Sequence, residues 1–343
     1  MYKYIGGIHI HTLFSDGTAN VEYISKCAKK AGLDWIIITD HNNNEVKEGF
    51  YNGVWVFKGY ELSPKTENHY LVIDTDEVLS VNNSIEDNIE AIRNNKGFGF
   101  AAHPQESLNR DNKYKPIRWL DKSIIPDGVE IWNWLSQWVD NYCDKNIFFI
   151  IFSYLFRDIL ISTPCLETMI WWDKMNNVNK NIVPAIGGLD LHALNFKKFF
   201  ISLKIFPYKS SFNTILNMIE LEKPLTNDLN KNRFMVFEAI KRGNNTIFYK
   251  KRINIKTAYE FTISNLKYKV SVGKSIKLDE KTYLDVKLPK QLKISIRRNG
   301  KKVFVTDSCS VHFKLKALGK YRIEVEDRCG YGMIYSNPII VHN

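Results

Sequence analysis

Histidines and acidic residues recur along the first 192 residues of this 343-residue chain, usually at the end of a short apolar stretch. In the first such segment, IHIHTLFSDGT, His9 and His11 are one residue apart and Asp16 follows. Side chains at positions i and i+2 of a strand lie on one face, so these two imidazoles could bind a single ion. Neutral imidazole together with carboxylate suits zinc, manganese or iron.

Later apolar stretches end in the same kinds of residue. Asp190 and His192 repeat the i, i+2 spacing, and Glu61 could bridge two ions. Paired ions about 3.5–4 Å apart polarise a phosphoryl oxygen and supply a hydroxide nucleophile near neutral pH. A single strand histidine is usually a hydrogen-bonded core residue, but recurrence at so many strand ends favours a metal site. The residues at these strand ends are His9, His11, Asp40, His41, Glu61, His103, Asp190 and His192.

Short apolar strands that alternate with helical patterns are expected to position these side chains. The segments LDWIIITDH, VWVFKGYE, HYLVIDT, GFGFAAHP, DGVEIWN and IVPAIGGLDLH predict strands. The segment NVEYISKCAKKAG predicts a helix with Val21, Ile24, Cys27 and Ala28 on its buried face and Gly32 at its end. This alternation favours a parallel sheet or a barrel, in which the C-terminal strand ends meet at one mouth.

Two later regions depart from this pattern. The segment from Trp134 to Asn181 is aromatic and mostly helical, and its apolar run 147–156 is too short to span a bilayer. We expect core helices or a lid there; a membrane-surface helix is the alternative, although the segment lacks a basic face. From about Ala258 short alternating strands begin, and RRNGKK supplies the Asn-Gly turn of a hairpin. These strands predict a small all-β sandwich of the Ig-like type over residues 257–343, after a first domain over residues 1–252.

The net charge of +11 is distributed unevenly. Residues 1–250 contain 28 Lys+Arg and 29 Asp+Glu, a net charge of −1, whereas residues 251–343 contain 20 and 8, a net charge of +12. The basic excess could attract an anionic polymer such as nucleic acid, or it could form a solvated face. We favour the solvated face, because the basic residues alternate along strands and no nucleic-acid-binding signature accompanies them.

The cysteines are Cys27, Cys143, Cys165, Cys309 and Cys329, which are widely spaced and contain no CxxC motif. This pattern is typical of reduced thiols and predicts a cytoplasmic location, with a Cys309–Cys329 contact as the alternative. The residues before His9 lack a charged-then-apolar pattern, so we expect no signal peptide there and no transmembrane segment.

The ordered motifs HIHTLFSDGT, WIIITDHN, GYE, AAHP and GGLDLH resemble the PHP family, named for polymerase and histidinol phosphatase, over roughly residues 5–250. The segments DGVEIWNW, WWDKMNN and VFEAIKRGNNTIF resemble its carbaryl-hydrolase-like (CehA/McbA) branch. The resemblance implies a distorted seven-stranded β/α barrel, a (β/α)7 PHP barrel, with two or three divalent metal ions (Mn, Zn or Fe).

The resemblance also implies a role for each matching residue. The first ion would be held by His9, His11, Glu61 and Asp190. The second would be held by Glu61, which bridges, and His103. The third would be held by Asp16, His41 and His192.

Three further residues have expected roles near these positions. Many family members supply a histidine near Asn133, so we expect Asn133 to bind the second ion through oxygen or water, whereas Glu130 by strand alternation would face away. Asp40 is adjacent to His41 and could orient it. His69 is expected to contact substrate or transfer a proton, with a structural role as the alternative.

We therefore predict a metal-dependent hydrolase, in the first place a phosphoesterase of class EC 3.1 that attacks a phosphate mono- or diester through metal-bound hydroxide. Catalytic roles are expected for His69, Asp190 and Glu61. Hydrolysis of a carbon ester or carbamate at the same metals is the alternative, because only the electrophile differs. A further alternative is an anionic-polymer-binding protein that uses the basic β domain. The expected partner is a small phosphorylated or ester substrate, and no motif indicates nucleic acid.

Overall fold

The protein is described by a computed structural model over residues 1–65, 67–106, 117–142, 161–198, 201–256 and 258–343. Its N-terminal strands are β1 (Tyr2–Gly7), β2 (Trp35–Ile38), β3 (Gly49–Tyr51), β4 (Val54–Leu62), β5 (Tyr70–Ile73), β6 (Phe98–Ala101), β7 (Gly128–Asn133), β8 (Ala185–Gly188), β9 (Asn195–Lys198), β10 (Ile201–Lys204), β11 (Ile215–Leu221) and β12 (Asn245–Tyr249). The helices in the described ranges are α1 (Val21–Lys30), α2 (Ile85–Asn94), α3 (Trp134–Tyr142), α4 (Leu166–Val178), α5 (Tyr208–Ser211) and α6 (Leu229–Lys241).

A curved, mixed sheet carries the predicted site residues at its strand ends. Strand β2 runs parallel to β1 and β4, and β7 runs parallel to β6 and β8. Between these two parallel groups, β5 is antiparallel to both β4 and β6. The predicted strands are therefore present, but the regular β/α alternation of the expected barrel is interrupted at β5.

The expected closed barrel is not confirmed. Across the gap between β1 and β8, the described residues share one isolated bridge, Ile10–Leu191, in place of a paired ladder. Backbone hydrogen bonds from Leu189 N–H to the Ile8 carbonyl (3.0 Å) and from Leu191 N–H to the His9 carbonyl (3.1 Å) accompany it. Strand β1 ends at Gly7 and β8 ends at Gly188. The extended conformation does not continue because His9 and Asp190 have positive φ angles of 67° and 51°.

Helix α1 forms as predicted. The Asn20 side chain accepts a hydrogen bond from the backbone N–H of Tyr23 (3.0 Å) and caps the first turn. Gly32 follows the last turn with a φ of 74°, a conformation that glycine adopts without strain. The predicted apolar face, with Ile24 and Ala28 fully buried, packs into the main core and fixes the loop that precedes the helix.

The C-terminal part of the chain is built of strands, as predicted. They are β13 (Glu260–Ser264), β14 (Lys269–Ser271), β15 (Ser275–Lys277), β16 (Tyr283–Arg298), β17 (Lys301–Lys314), β18 (Gly319–Glu326), β19 (Gly332–Ser336) and β20 (Ile339–His342). The β16–β17 hairpin turns at Asn299 and Gly300, with φ angles of 50° and 78°, which suit an Asn-Gly turn.

These C-terminal strands are hydrogen-bonded to the first sheet, because β19 pairs with β12. A buried ion pair adds a second connection: Arg322 donates two hydrogen bonds to Asp173 of α4, at 2.9 and 2.6 Å. The separate β-sandwich is therefore not confirmed, and the division into domains over residues 1–252 and 257–343 stays a prediction.

The aromatic segment contributes helices α3 and α4, whereas the apolar run 147–156 and Cys143 lie outside the described residues. Among the helices that are described, none has the length and apolar character needed to cross a membrane. Among the described residues, the thiols of Cys27, Cys165, Cys309 and Cys329 are free, so no disulfide joins Cys309 and Cys329.

Candidate metal centre

The histidines and acidic residues from six separate segments converge on one place. Their nitrogen and oxygen atoms form overlapping groups in which all the atoms lie within 4.8 Å of one another. The groups are His11, Asp16, His41 and His192; His9, His103 and Asp190; His9, His11 and Glu61; and Glu61, His69 and His103. Eight of the nine residues predicted to bind metal are therefore in these groups, together with His69.

Glu61, at the end of β4, lies at the centre of these groups. Its Oε1 atom is 2.9 Å from His69 Nδ1 and 3.1 Å from His103 Nε2. Its Oε2 atom faces a different set of imidazoles: His9 Nε2 at 3.3 Å, His41 Nδ1 at 3.1 Å and His11 Nε2 at 3.5 Å. The two oxygens of one buried carboxylate thus face two sets of histidines, as the bridging role expected for Glu61 requires.

We call His11, Asp16, His41 and His192 the open group. It reaches the protein surface through Asp16 and His41. Asp16 Oδ1 lies 3.1 Å from His192 Nε2 and 3.6 Å from His41 Nε2. The Asp16 side chain is 53% exposed and that of His41 is 28% exposed. Solvent and solutes can therefore reach the centre on this side.

The remaining residues, which we call the buried group (His9, Glu61, His69, His103 and Asp190), are all shielded from solvent. Asp190 Oδ1 lies 3.5 Å from His9 Nε2 and 3.7 Å from His11 Nε2. Isolated charges at this depth are costly, so carboxylates and imidazoles here require compensating partners.

The backbone at three of these residues is in the left-handed region. The φ angles are 67° at His9, 27° at His103 and 51° at Asp190, and none of the three is glycine. Such conformations cost about 1–3 kcal/mol each and concentrate at functional sites. His9 and His11 lie beyond the end of β1 at Gly7. They therefore do not come together through the alternation of side chains along a strand.

Glu130 is a site residue that strand alternation misplaced. Its Oε1 atom is 2.8 Å from His9 Nδ1, and its Oε2 atom accepts hydrogen bonds from the His103 backbone N–H (2.6 Å) and Asn133 Nδ2 (2.9 Å). The register of β7 against β8 shifts between Glu130 and Trp132, so alternation fails there. A Cβ atom at Gly188 would lie 1.5 Å from Glu130 Oε1, so any larger residue there would displace this carboxylate.

Asn133 lies beside the centre, but both ends of its amide are engaged. Oδ1 accepts the backbone N–H of Ser136 (2.8 Å) at the start of α3, and Nδ2 lies 2.9 Å from Glu130 and 3.4 Å from Asp190. This geometry fits a residue that orients two carboxylates better than it fits the expected oxygen ligand.

Asp40 contacts a different partner from the one expected. It accepts hydrogen bonds from the backbone N–H and the hydroxyl of Thr12, both at 2.7 Å, and from the Ser15 hydroxyl at 2.6 Å. His41 instead has the Ser63 hydroxyl 2.6 Å from its Nδ1 atom. Asp40 therefore fixes the loop that carries Asp16 and does not orient His41.

The far nitrogens of several imidazoles contact oxygen atoms, which is how proteins orient metal-binding histidines. His69 Nε2 lies 3.0 Å from the Pro64 carbonyl, and His192 Nδ1 lies 3.1 Å from the Asp190 carbonyl. A carbonyl only accepts hydrogen bonds, so each of these nitrogens carries the proton and the other nitrogen faces the centre. Within the described part of the chain, His11 Nε2 is buried and has no hydrogen-bond partner. The donor types, their orientation and this unpartnered nitrogen all fit divalent ions.

The charges of the centre shift the pKa values of its groups in both directions. Burial alone would lower the pKa of His41, but hydrogen bonds with Asp16 and Glu61 raise it to about 10. Burial is likewise outweighed at His103, where Glu106 and Glu61 raise the pKa to about 9. At His11, burial and the neighbouring imidazoles hold the pKa well below its usual value. The neighbouring carboxylates therefore favour the protonated form of His41 and His103, whereas His11 favours the neutral form.

The carboxylates respond in the opposite direction. Burial would raise the pKa of Glu61, but His9 and the other surrounding histidines hold it well below its usual value. At Asp16, hydrogen bonds with His192 and His41 outweigh burial and lower the pKa. Both groups are therefore ionised at neutral pH, the form that binds a cation.

No protein-family model matches the chain. Over 150 residues it is 30% identical to the uncharacterized protein MJ1587 of Methanocaldococcus jannaschii, in a match that covers 37% of this chain and 80% of that protein.

Among solved structures, the chain is similar to a two-domain protein from Bacteroides vulgatus that contains a predicted PHP-like metal-dependent phosphoesterase. The two sequences are 13% identical and the TM-score is 0.46; the match covers 98% of this chain and 95% of that chain. The lesion-specific endonuclease EndoQ of Pyrococcus furiosus has 14% identity and a TM-score of 0.40, with 78% of this chain and 63% of that chain covered. PsfC from Pseudomonas syringae has 12% identity and a TM-score of 0.39, with 68% of this chain and 88% of that chain covered.

Proposed function

We propose that this chain, which belongs to the same family as the uncharacterized Methanocaldococcus jannaschii protein, is a metal-dependent phosphoesterase. The observation that carries the proposal is the position of Glu61, whose two oxygens face two different sets of histidines within one cluster. When bound, divalent ions in such a cluster polarise a phosphoryl oxygen and make a hydroxide nucleophile available near neutral pH. The residue types and their spacing support this chemistry.

We assign the residues to ions as follows. His9, His11, Glu61 and Asp190 would hold one ion, as the distances of 3.3–3.7 Å between the imidazole nitrogens and the carboxylate oxygens support. Glu61, His69 and His103 would hold a second, so His69 takes the place first expected for Asn133. Asp16, His41 and His192 would hold a third on the open side, next to His11.

Glu130 and Asp40 position the metal-binding residues, and His69 is itself one of them. Glu130 fixes the ring of His9 and the backbone of His103 through the same carboxylate. Asp40 anchors the loop from Thr12 to Ser15, which places Asp16. His69 is assigned to metal binding and not to proton transfer, because its second nitrogen donates to a carbonyl.

Phosphate esters are favoured over carbon esters and carbamates because several cationic positions lie close together. A transferring phosphoryl group spreads charge over three equatorial oxygens, which clustered cations stabilise together. The CehA/McbA branch, the metal identities, the cytoplasmic location and a role of the basic strands in polymer binding stay predictions.

The proposal is tested by loading the purified protein with Mn²⁺ or Zn²⁺ and assaying 4-nitrophenyl phosphate, bis(4-nitrophenyl) phosphate, 4-nitrophenyl acetate and an aryl carbamate side by side. We expect release of nitrophenol from a phosphate ester, loss of release with chelator, and none from His9→Ala. Activity confined to the acetate or carbamate would replace the proposal with the carbon-ester alternative. Absence of activity on all four substrates in a metal-loaded protein would refute a hydrolase of this type.

A further inference from the structure

Glu106 is a buried carboxylate that lies next to the metal centre but outside its ion-binding groups. The residue is 5% exposed, and its Oε2 atom lies 3.5 Å from His103 Nδ1. The other ring nitrogen of His103, Nε2, lies 3.1 Å from Glu61 Oε1. The imidazole of His103 is therefore located between two carboxylates, with Glu61 on its ion-binding side and Glu106 on its far side.

Two contacts fix Glu106 in this position. Its Oε2 atom accepts a hydrogen bond from the Ser136 hydroxyl, and its backbone N–H donates to the His103 carbonyl at 3.0 Å. Ser136 is itself placed by its backbone N–H, which donates to Asn133 Oδ1 at 2.8 Å at the start of α3. The carboxylate is thus held from the first turn of α3 and from the turn that follows His103.

His103 Nδ1 is buried and has no hydrogen-bond partner in the part of the chain that the structure describes. An imidazole that binds an ion through Nε2 carries its proton on Nδ1, so this nitrogen requires an acceptor. A movement of about 0.5 Å would bring Glu106 Oε2 within an ordinary N–H···O hydrogen bond of it. Both residues line a cavity of about 350 Å³, which leaves room for that movement.

We propose that Glu106 is a positioning residue for the second ion: it accepts the Nδ1 proton of His103 and so holds the ring with Nε2 toward Glu61. The inference rests on the metal centre of the proposed function, but it concerns metal affinity and is tested without measuring hydrolysis. A carboxylate partner orients an imidazole and raises its basicity. His69 instead faces the Pro64 carbonyl, so the effect of Glu106 is specific to His103.

The first measurement is Zn²⁺ affinity, by competition with a chelating dye, in wild type, Glu106→Ala, Glu106→Gln and Glu167→Gln. Glu167 provides the matched control, since it is an exposed carboxylate in the first turn of α4. We expect Glu106→Ala to weaken the binding of one ion about 10-fold and to leave the other ions unchanged. Glu106→Gln keeps an acceptor oxygen and should weaken binding less, and Glu167→Gln should match wild type.

The second measurement separates the orientation of the ring from a general loss of affinity. Long-range proton–nitrogen NMR spectra of the Zn²⁺-saturated, ¹⁵N-histidine-labelled protein show each imidazole, and the signals missing from His103→Asn are those of His103. In both Glu106 variants we expect the Nδ1 signal of His103 to shift, while the signals of His41 and His192 stay in place. Glu106→Gln preserves the shape of the side chain, so it supplies this test even where Glu106→Ala does not fold.

The possible results distinguish this inference from the proposed function. Wild-type affinity in the Glu106 variants, or weaker affinity with unchanged His103 signals, would overturn the positioning role and leave the metal centre in place. A wild-type protein that binds no divalent ion would overturn the metal centre and this inference together.

Discussion

The buried group and the open group of the centre differ in what supports them. The buried group is enclosed, and its imidazoles are oriented by Glu130 and by the Pro64 carbonyl. The open group depends on a loop anchored by Asp40, and its carboxylate, Asp16, is half exposed. Oriented, desolvated ligands bind ions more tightly than exposed ones. We therefore expect tightly held ions in the buried group and an exchangeable one in the open group.

The largest effect is expected from removing a ligand of the buried group. His9→Ala and Asp190→Ala should each lower phosphoesterase activity more than about 100-fold, because a lost ligand should cost more than a lost outer contact. Phosphate release and metal content by mass spectrometry would be measured together, with circular dichroism to check the fold. A His9→Ala protein that retained activity and full metal content would contradict this assignment.

The second prediction concerns the support of the buried group. Glu130→Gln preserves the shape of the side chain but removes the charge that faces His9, and should lower metal affinity or activity about 10- to 100-fold. Glu222→Gln is the matched control, because this carboxylate is 73% exposed and pairs with Lys274 at the surface. Equal activity in the two variants would show that Glu130 does not support the centre.

A smaller effect is expected from the open group. Asp16→Asn should lower activity about 10-fold, and excess metal should restore most of it, since an exposed ligand contributes less to affinity. In wild type, gradual chelator titration should remove about one ion before the others. If all ions left together, the distinction between the two groups would fail.

The smallest effect is a pH dependence in the chelated protein. The pKa of His41 is about 10 in the folded protein, above its ordinary value of 6.5. A raised pKa contributes stability that is complete below pH 6.5 and is lost as the pH rises through 10. In EDTA, the melting temperature of wild type should therefore exceed that of His41→Asn at pH 6, with the difference shrinking toward pH 10. A difference that stayed constant across this range would contradict the assigned shift.

The sequence allowed prediction of the residue types in the centre but not of their supporting contacts. His9, Glu61, His103 and Asp190 stood out because metal-binding side chains ended apolar strands. Glu130 was missed because a register shift in β7 breaks the alternation from which its direction was inferred. A charged residue inside an apolar strand was the signal that could have identified it.

The expected barrel differed from the structure for a related reason. Closure between β1 and β8 would require extended backbone through His9 and Asp190, and both residues have positive φ. Residue propensities do not predict a left-handed backbone at histidine or aspartate, because such a conformation is imposed by tertiary contacts. The antiparallel direction of β5 could not be predicted either, because an apolar run does not indicate strand direction.

The bridging role of Glu61 is tested most directly by anomalous X-ray diffraction from crystals grown with Mn²⁺. We predict separate ion peaks on the two sides of the Glu61 carboxylate, one near His69 and His103 and one near His9 and His11. Crystals that bind Mn²⁺ elsewhere, or at one side of Glu61 alone, would contradict the account.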